Sequence, residues 1–246
     1  MRLAGWLEVA RRLPVVGRQL RSMEKARMRR RIAESADAKA AFAAIHQANY
    51  WGSGESVSGN GSTLASTELL RAELTALIAE LGVGCLFDAP CGDFNWMRLV
   101  RLPDEAHYIG ADIVDAIIAD CAARYAAPNR EFRVVDIIRD PHPRADLWLC
   151  RDALLHLSNR DIRAALERFV ESGTALCLLT TYPDISVNRD VRTGLTRHIN
   201  LLAPPFSLPP AGRYLRDAPV GEGPRLLGLW TRAQIAGALA GDAPGG

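Results

Sequence analysis

The chain has 246 residues, 48% of them apolar and 24% charged, with a formal net charge of +2 at pH 7. That length and apolar share suffice to bury a full core, which excludes a disordered chain and fits one α/β catalytic domain with an N-terminal extension. No run of about 18 consecutive apolar residues occurs, and Glu8 interrupts the first ten residues, so neither a spanning helix nor a secretory signal is read and a cytoplasmic protein is expected.

The charge is unevenly placed. Residues 1–31 hold ten Lys or Arg against Glu8 and Glu24, a net of +8, which leaves −6 for residues 32–246. Leu3, Trp6, Leu7, Val9, Leu13, Val15 and Val16 lie among these cations, with Pro14 and Gly17 as interruptions. Three readings stay open: an amphipathic helix making peripheral contact with an anionic membrane through residues 1–31, a helix that is solvated or docked on the domain, and an RNA arm. The acidic remainder offers no second basic patch or aromatic stacking motif, so there is no firm nucleic-acid signal.

In chain order, residues 36–44 read as a helix and residues 49–62, rich in Gly, Ser and Asn, as a loop. Ser66 or Thr67 is placed to cap a helix whose Leu70, Leu74, Leu77, Ile78 and Leu81 share one face. A strand follows at 85–89, with a helix opening near Asp93 or Phe94. Further strands are read near 107–112, 131–137, 146–150 and 176–181, with a helix near 114–126 and another from Ser158 to Gly173, where Ser158 and Asp161 resemble a capping box. Strands alternating with helices predict a parallel sheet. Residues 183–224 carry seven prolines and little periodicity, and residues 226–230 suit a last strand. The five cysteines have no paired metal spacing and read as buried reduced thiols, with Cys91, in the turn after the first strand, open to partial exposure but read as packing there rather than reacting. The five histidines are scattered, so no metal site is expected.

The segment 85–96 reads Cys-Leu-Phe-Asp-Ala-Pro-Cys-Gly-Asp-Phe-Asn-Trp: an apolar strand closing on an acid, then a tight turn with one glycine. The pattern of an apolar run ending in aspartate recurs at Asp112 and Asp136, so Asp88, Asp112 and Asp136 are spaced by 24 and 24 residues. In an open parallel sheet all strand carboxyl ends face one crevice, so the three carboxylates are expected to line one cleft, where ribose hydroxyls and an amine would give them donors.

From about Asn49 to Trp230 the sequence resembles the class I S-adenosylmethionine-dependent methyltransferases, and the motif Asp-Ala-Pro-Cys-Gly-Asp-Phe-Asn-Trp resembles a bacterial subgroup of them. The family pattern is acid-x-Gly-x-Gly-x-Gly; here only Gly92 survives, with Pro90 and Phe94 in the other two places. The resemblance implies a Rossmann-like, doubly wound, mostly parallel seven-stranded sheet over residues 49–240, preceded by a basic helical extension over 1–48. It implies S-adenosylmethionine as cofactor, with Asp88 and Gly92 toward the methionine part, Asp112 on the ribose and Asp136 near the adenine amine. The cofactor set is completed by Trp51, Ser56, Pro90, Asp93, Ile113, Ile137 and Arg151, and residues 55–61 read as a lid or as a plain turn. A nicotinamide cofactor is disfavoured, because the turn has too few glycines for a pyrophosphate and Asp93 would repel it.

An aliphatic hydroxyl acceptor needs a base, and Asp152 with His156, at i and i+4 after the fourth strand, would share one face if that segment were helical. Asn188, Arg192, Arg197, His198 and Asn200 could hold a polar acceptor, or belong to a solvated surface loop. The expected activity is methyl transfer to a hydroxyl of a small molecule or glycan. RNA or protein methylation and cofactor binding without turnover are the alternatives.

Overall fold

The computed structural model describes residues 14–51, 53–218 and 224–241. Among them the helices are α1 (Pro14–Ala33), α2 (Ala38–Gln47), α3 (Glu68–Leu81), α4 (Asp115–Tyr125), α5 (Asn159–Ser172) and α6 (Arg232–Gly241). The strands are β1 (Cys85–Asp88), β2 (His107–Asp112), β3 (Arg130–Val134), β4 (Leu147–Cys150), β5 (Leu176–Thr181), β6 (Arg213–Arg216) and β7 (Leu226–Thr231). They form a seven-stranded sheet in the order β3-β2-β1-β4-β5-β7-β6, parallel except for β7, which runs antiparallel to both its neighbours.

The alternation of each strand decides which layer covers it. Leu86 of β1, Leu147 and Leu149 of β4 and Leu178 of β5 pack with Leu70, Leu74 and Ile78 of α3 and Ile117 of α4. Phe87, Trp148, Cys150, Cys177 and Leu179 point the other way, onto Ile162, Leu166 and Phe169 of α5 and Ile235 of α6. Helices therefore cover both faces, as a largely parallel sheet buried on both sides requires. After β3 the chain crosses to the far side of β1, so the strand order reverses between β1 and β4, and a crevice opens beyond their carboxyl ends.

Several local expectations change. No α-helix opens at Asp93 or Phe94; the only helical turn between β1 and β2 is a 3₁₀ turn at Met97–Leu99, because Phe94, Trp96 and Met97 are all buried together against the sheet. Thr67 is at the N-cap of α3 without capping it, its hydroxyl donating instead to the Thr63 carbonyl at 2.8 Å. Leu81 is exposed because Gly82, at φ +62, ends the helix there. β3 stops at Val134, so Asp136 lies in the following turn. Cys91 is buried. Ser158 does cap α5, accepting from the Asp161 N–H at 3.1 Å, but Thr193 closes the box: its hydroxyl accepts from the Ser158 N–H and donates to Asp161.

α1 starts at Pro14, a favoured first helical residue, and runs through Gly17 without interruption. Lys25, Arg27, Arg29, Arg30 and Arg31 are all exposed, and Ile32 is the buried anchor. This described part is polar all round rather than amphipathic; Leu3 to Leu13, which carried most of that expectation, lie outside the described residues. No described helix is long and apolar enough to cross a membrane. Asp37 caps α2 by accepting from the Ala40 N–H at 2.8 Å. The two helices are clamped onto the domain from both sides: Lys39 pairs with Asp115 at 2.8 Å, and Arg192 donates to the Ser35 carbonyl at 2.8 Å. Ile32 and Ala41 also press on Gly194, where an added Cβ would lie 2.7 Å from Ile32.

Candidate functional site

The crevice beyond β1, β2 and β4 is a cavity of about 360 Å³, within the ~300–1,000 Å³ usual for small-molecule sites. Asp88 ends β1, is almost fully buried, and accepts from the Tyr108 hydroxyl at 2.6 Å. Burial pushes its carboxyl up to about 7, opposed by that hydrogen bond and by the nearby Arg151 guanidinium. Asp112 ends β2 and accepts from the Val114 N–H at 3.0 Å; burial lifts it to about 6 against backbone N–H bonds from Val114, Gly92 and Ile113. Asp136 accepts from the Ile138 N–H at 2.9 Å and is raised by burial. All three line the one cavity, together with Pro90, Gly92 and the apolar side chains of Ile113, Val135 and Ile137.

The turn after β1 explains its own unusual sequence. Cys91 N–H donates to the Ala111 carbonyl at 2.7 Å, which ties the turn to β2. Gly92 has φ +54, and a Cβ there would lie 2.1 Å from Ser58 Oγ, so the loop above it closes onto bare backbone. Phe94 also has a positive φ, +57, and is held in it by ring contacts with Tyr108, Tyr125 and Phe132 at 5.1–5.3 Å. Where the aligned pattern has its third glycine, this chain keeps a glycine-like backbone and adds an aromatic plug to the core.

Two of the expected cofactor residues face elsewhere. Asp93 accepts from Ser56 Oγ and from the Val57 N–H, both at 3.0 Å, and neither Ser56 nor Asp93 lines the cavity. A carboxylate beside two donors of the loop above is satisfied by them, so the pair works as a latch that holds residues 57–62 over the cavity. Glu55 adds to it, accepting from the Leu64 N–H and from Asn95 Nδ2, both at 2.7 Å. Trp51 does line the cavity.

Arg151 lines the cavity, but its donors are committed. Its Nη2 lies 2.8 Å from Asp217 and donates to the Gly61 carbonyl at 2.7 Å, Nε donates to Asp217 at 2.9 Å, and Trp96 stacks against the guanidinium. Asp217, fully buried, is pushed up to about 6 by desolvation despite this partner. Arg225 donates to the Asp217 carbonyl oxygen and, at 2.9 Å, to Asp152 Oδ2. Two arginines and two aspartates thus join the loop at 57–62, the end of β4 and the β6–β7 hairpin. Asp217 and Arg225 carried no sequence signal, since their partners lie 66 and 73 residues away.

The expected Asp152–His156 pair does not form. Asp152 takes φ +50, which ends any helical continuity, and only Leu154–His156 make a 3₁₀ turn. The carboxylate goes to Arg225, while Nδ1 of His156 meets Thr196 Oγ1 at 3.0 Å and the ring packs 5.1 Å from Trp51 and 6.4 Å from Phe42. Burial lowers the imidazole to about 4, so it is neutral at pH 7. Both residues still line the cavity.

Of the five acceptor-side residues, His198 alone reaches it, stacked on Tyr182 at 4.1 Å. Asn188 and Asn200 fold their own loop: Asn188 Nδ2 donates to the Asn200 carbonyl at 2.8 Å and Oδ1 accepts from the Asn200 N–H at 2.9 Å. Arg197 donates to the Leu154 and Leu155 carbonyls and to Asn159, and Arg192 reaches Ser35. A long chain segment without strands must satisfy its backbone somehow, and these polar side chains do so. Phe42 and His46 of α2 line the cavity and were not expected there; their signal was hidden in a helix read only as an extension.

No protein-family model matches the sequence, and neither does any curated protein. Solved structures match over most of the chain. The magnesium protoporphyrin IX methyltransferase ChlM from Synechocystis PCC 6803, with bound S-adenosylmethionine, is 13% identical with a TM-score of 0.50, over 81% of this chain and 99% of the other. The fold is that of the S-adenosylmethionine-dependent methyltransferases. DhpI, in complex with S-adenosylhomocysteine, is 18% identical with a TM-score of 0.55, over 79% of this chain and 97% of its own. The methyltransferase domain of bacterial CtHen1-C is 15% identical with a TM-score of 0.51, over 68% and 98%. Within this methyltransferase fold the cavity occupies the switch point where ligands bind in open α/β sheets.

Proposed function

We propose that this chain transfers the methyl group of S-adenosylmethionine to a hydroxyl of a small polar molecule or glycan unit. The observation that carries the reading is the convergence of Asp88, Asp112 and Asp136 with Gly92 on one cavity, beside the apolar Pro90, Ile113, Val135 and Ile137. The fit is chemical as well as spatial. Buried carboxylates raised by desolvation gain from ligand donors, and the Gly92 backbone leaves room that a Cβ would fill. A pyrophosphate has no such partners here, because the turn presents acids and no free cation. Structures of this fold with bound S-adenosylmethionine or S-adenosylhomocysteine support the same cofactor.

When bound, S-adenosylmethionine supplies an already activated methyl group, so the protein's work is alignment and exclusion of water. Asp112 would accept from the ribose hydroxyls, Asp136 from the adenine amine, and Ile113 and Ile137 would flank the base. Trp51 and residues 57–62, latched through Asp93, would close the cavity. His156, unprotonated throughout the neutral range and held by Thr196, would serve as a weak base for the acceptor hydroxyl's proton.

Calorimetric titration of the purified protein with S-adenosylmethionine, S-adenosylhomocysteine and NAD tests the reading. Binding of the first two, lost in Asp112→Ala, is expected. Preference for NAD, or no binding at all, would refute it.

A further inference from the structure

The far half of the cavity holds a cation whose donors are only partly used. Thr181 of β5 pairs with Leu226 of β7, so the next residue on each strand, Tyr182 and Arg225, leave the sheet side by side at its crevice edge. Both line the cavity. Arg225 Nε donates to the Asp217 carbonyl oxygen and Nη1 to Asp152 Oδ2 at 2.9 Å, while Nη2 donates to no carboxylate or carbonyl among the described residues. The Tyr182 ring is fixed by its stack on His198 at 4.1 Å, and its hydroxyl stands beside the guanidinium. Burial pushes the phenol up and Arg225 pulls it down; it keeps its proton at neutral pH, and no described residue accepts that proton. Asp152 Oδ1 is sealed from solvent, whereas these donors open onto the cavity.

Two donors side by side call for a group that accepts from both. A carboxylate does so with its two oxygens, and the guanidinium makes the bond charge-assisted. The surrounding charges limit the guest to one negative charge. Arg151 and Arg225 already face Asp152 and Asp217, and burial pushes Asp217 up to about 6, so one added charge is met by a proton on Asp217 and a phosphate dianion would need a second. S-adenosylmethionine has a carboxylate of its own, but its expected cradle lies elsewhere. Asp88, Asp112 and Asp136 follow β1, β2 and β3, whereas Arg225 precedes β7, on the other side of β1 and three strand spacings, or roughly 14 Å, away from it.

We propose that Arg225 Nη2 and the Tyr182 hydroxyl form a carboxylate subsite for the methyl acceptor, which is therefore a small hydroxylated acid rather than a neutral polyol. This rests on the methyltransferase reading above. The carboxylate is the handle that fixes the acceptor, and a hydroxyl elsewhere on the same molecule remains the group that is methylated.

Saturation-transfer NMR on the full chain with saturating S-adenosylhomocysteine tests two matched pairs, D-glucuronate against D-glucose and para-hydroxybenzoate against para-hydroxybenzamide. In at least one pair the acid should bind about tenfold more tightly than its neutral partner. Tyr182→Phe, which keeps the ring on His198, should weaken that acid by about fivefold and its neutral partner by less than about twofold. Arg225→Lys keeps a cation for Asp152 but loses the fork, and should bring acid and neutral partner within about threefold of each other. S-adenosylhomocysteine affinity should stay at the wild-type level in both variants, which also reports that they are folded. Neutral partners that bind as tightly as the acids in both pairs, or no binding by any of the four, overturn the proposal without any variant. An acid preference that survives both substitutions overturns it as well. If Arg225→Lys loses affinity for S-adenosylhomocysteine but not for methylthioadenosine, which lacks the amino-acid end, the fork belongs to the cofactor's carboxylate and the proposal falls. Tighter binding of phenyl phosphate than of para-hydroxybenzoate refutes the preference for a single negative charge. If the wild type binds no S-adenosylhomocysteine, the methyltransferase reading itself fails, and that result is separable from the others.

Discussion

Replacing Asp112 by asparagine should make this protein more stable and less able to bind its cofactor. Burial lifts the Asp112 carboxyl from 3.8 to about 6, so at neutral pH the folded state carries a charge it would rather not hold. The difference is worth about 3 kcal/mol. Asparagine keeps an oxygen for the Val114 N–H, but turns a donor toward the other backbone N–H groups, which costs roughly 1 kcal/mol. The net gain is about 2 kcal/mol at pH 7.5, or roughly 4–8 °C in Tm for a chain of this size. The pH dependence has a definite sign. Because the folded-state value is the higher one, the folded wild type holds a proton that the unfolded chain releases, and its stability falls as pH rises from about 4 to about 6. The variant's advantage should therefore vanish by pH 4. Denaturant melts of both proteins at pH 4 and 7.5, paired with S-adenosylhomocysteine titrations, read the two effects separately. Affinity should fall by about tenfold or more if Asp112 is, as proposed, the charged acceptor for the ribose. A variant destabilised equally at both pH values, or one that binds as the wild type does, would refute the reasoning.

Arg151→Ala leaves Asp217 buried without its main partner, and chemical denaturation should show a loss of about 3–5 kcal/mol; Arg151→Met with Asp217→Leu should lose far less, because no orphan charge remains. Gly92→Ala meets Ser58 Oγ at 2.1 Å and forces a positive φ on alanine, so about 1–3 kcal/mol is expected from the strain alone. Adding Ser58→Gly should restore S-adenosylhomocysteine affinity toward the wild type but leave the backbone cost in the melt. The His156 ring should titrate by NMR with a midpoint near 4, held neutral by burial; a midpoint at the ordinary 6.5 would mean that Trp51 and Phe42 do not enclose it.

What the sequence determined by itself is whatever local periodicity and local chemistry control. Apolar runs ending in Asp88 and Asp112, with Asp136 at the same spacing just past β3, were enough to place three carboxylates at one edge of a parallel sheet, because side-chain alternation and right-handed crossovers leave little choice. The loop over the cavity was legible from its glycines. The partners of its polar groups were not. Ser56 and Asp93 each looked like a cofactor ligand, and only the fold shows that they satisfy each other across 37 residues. Asp152 and His156 looked like a pair at helical spacing, until one positive φ sent the carboxylate to Arg225, 73 residues on. Tertiary structure decided these matters for one physical reason. A buried polar group takes the nearest partner with the right geometry, and nearness across a folded sheet is not written in the spacing along the chain.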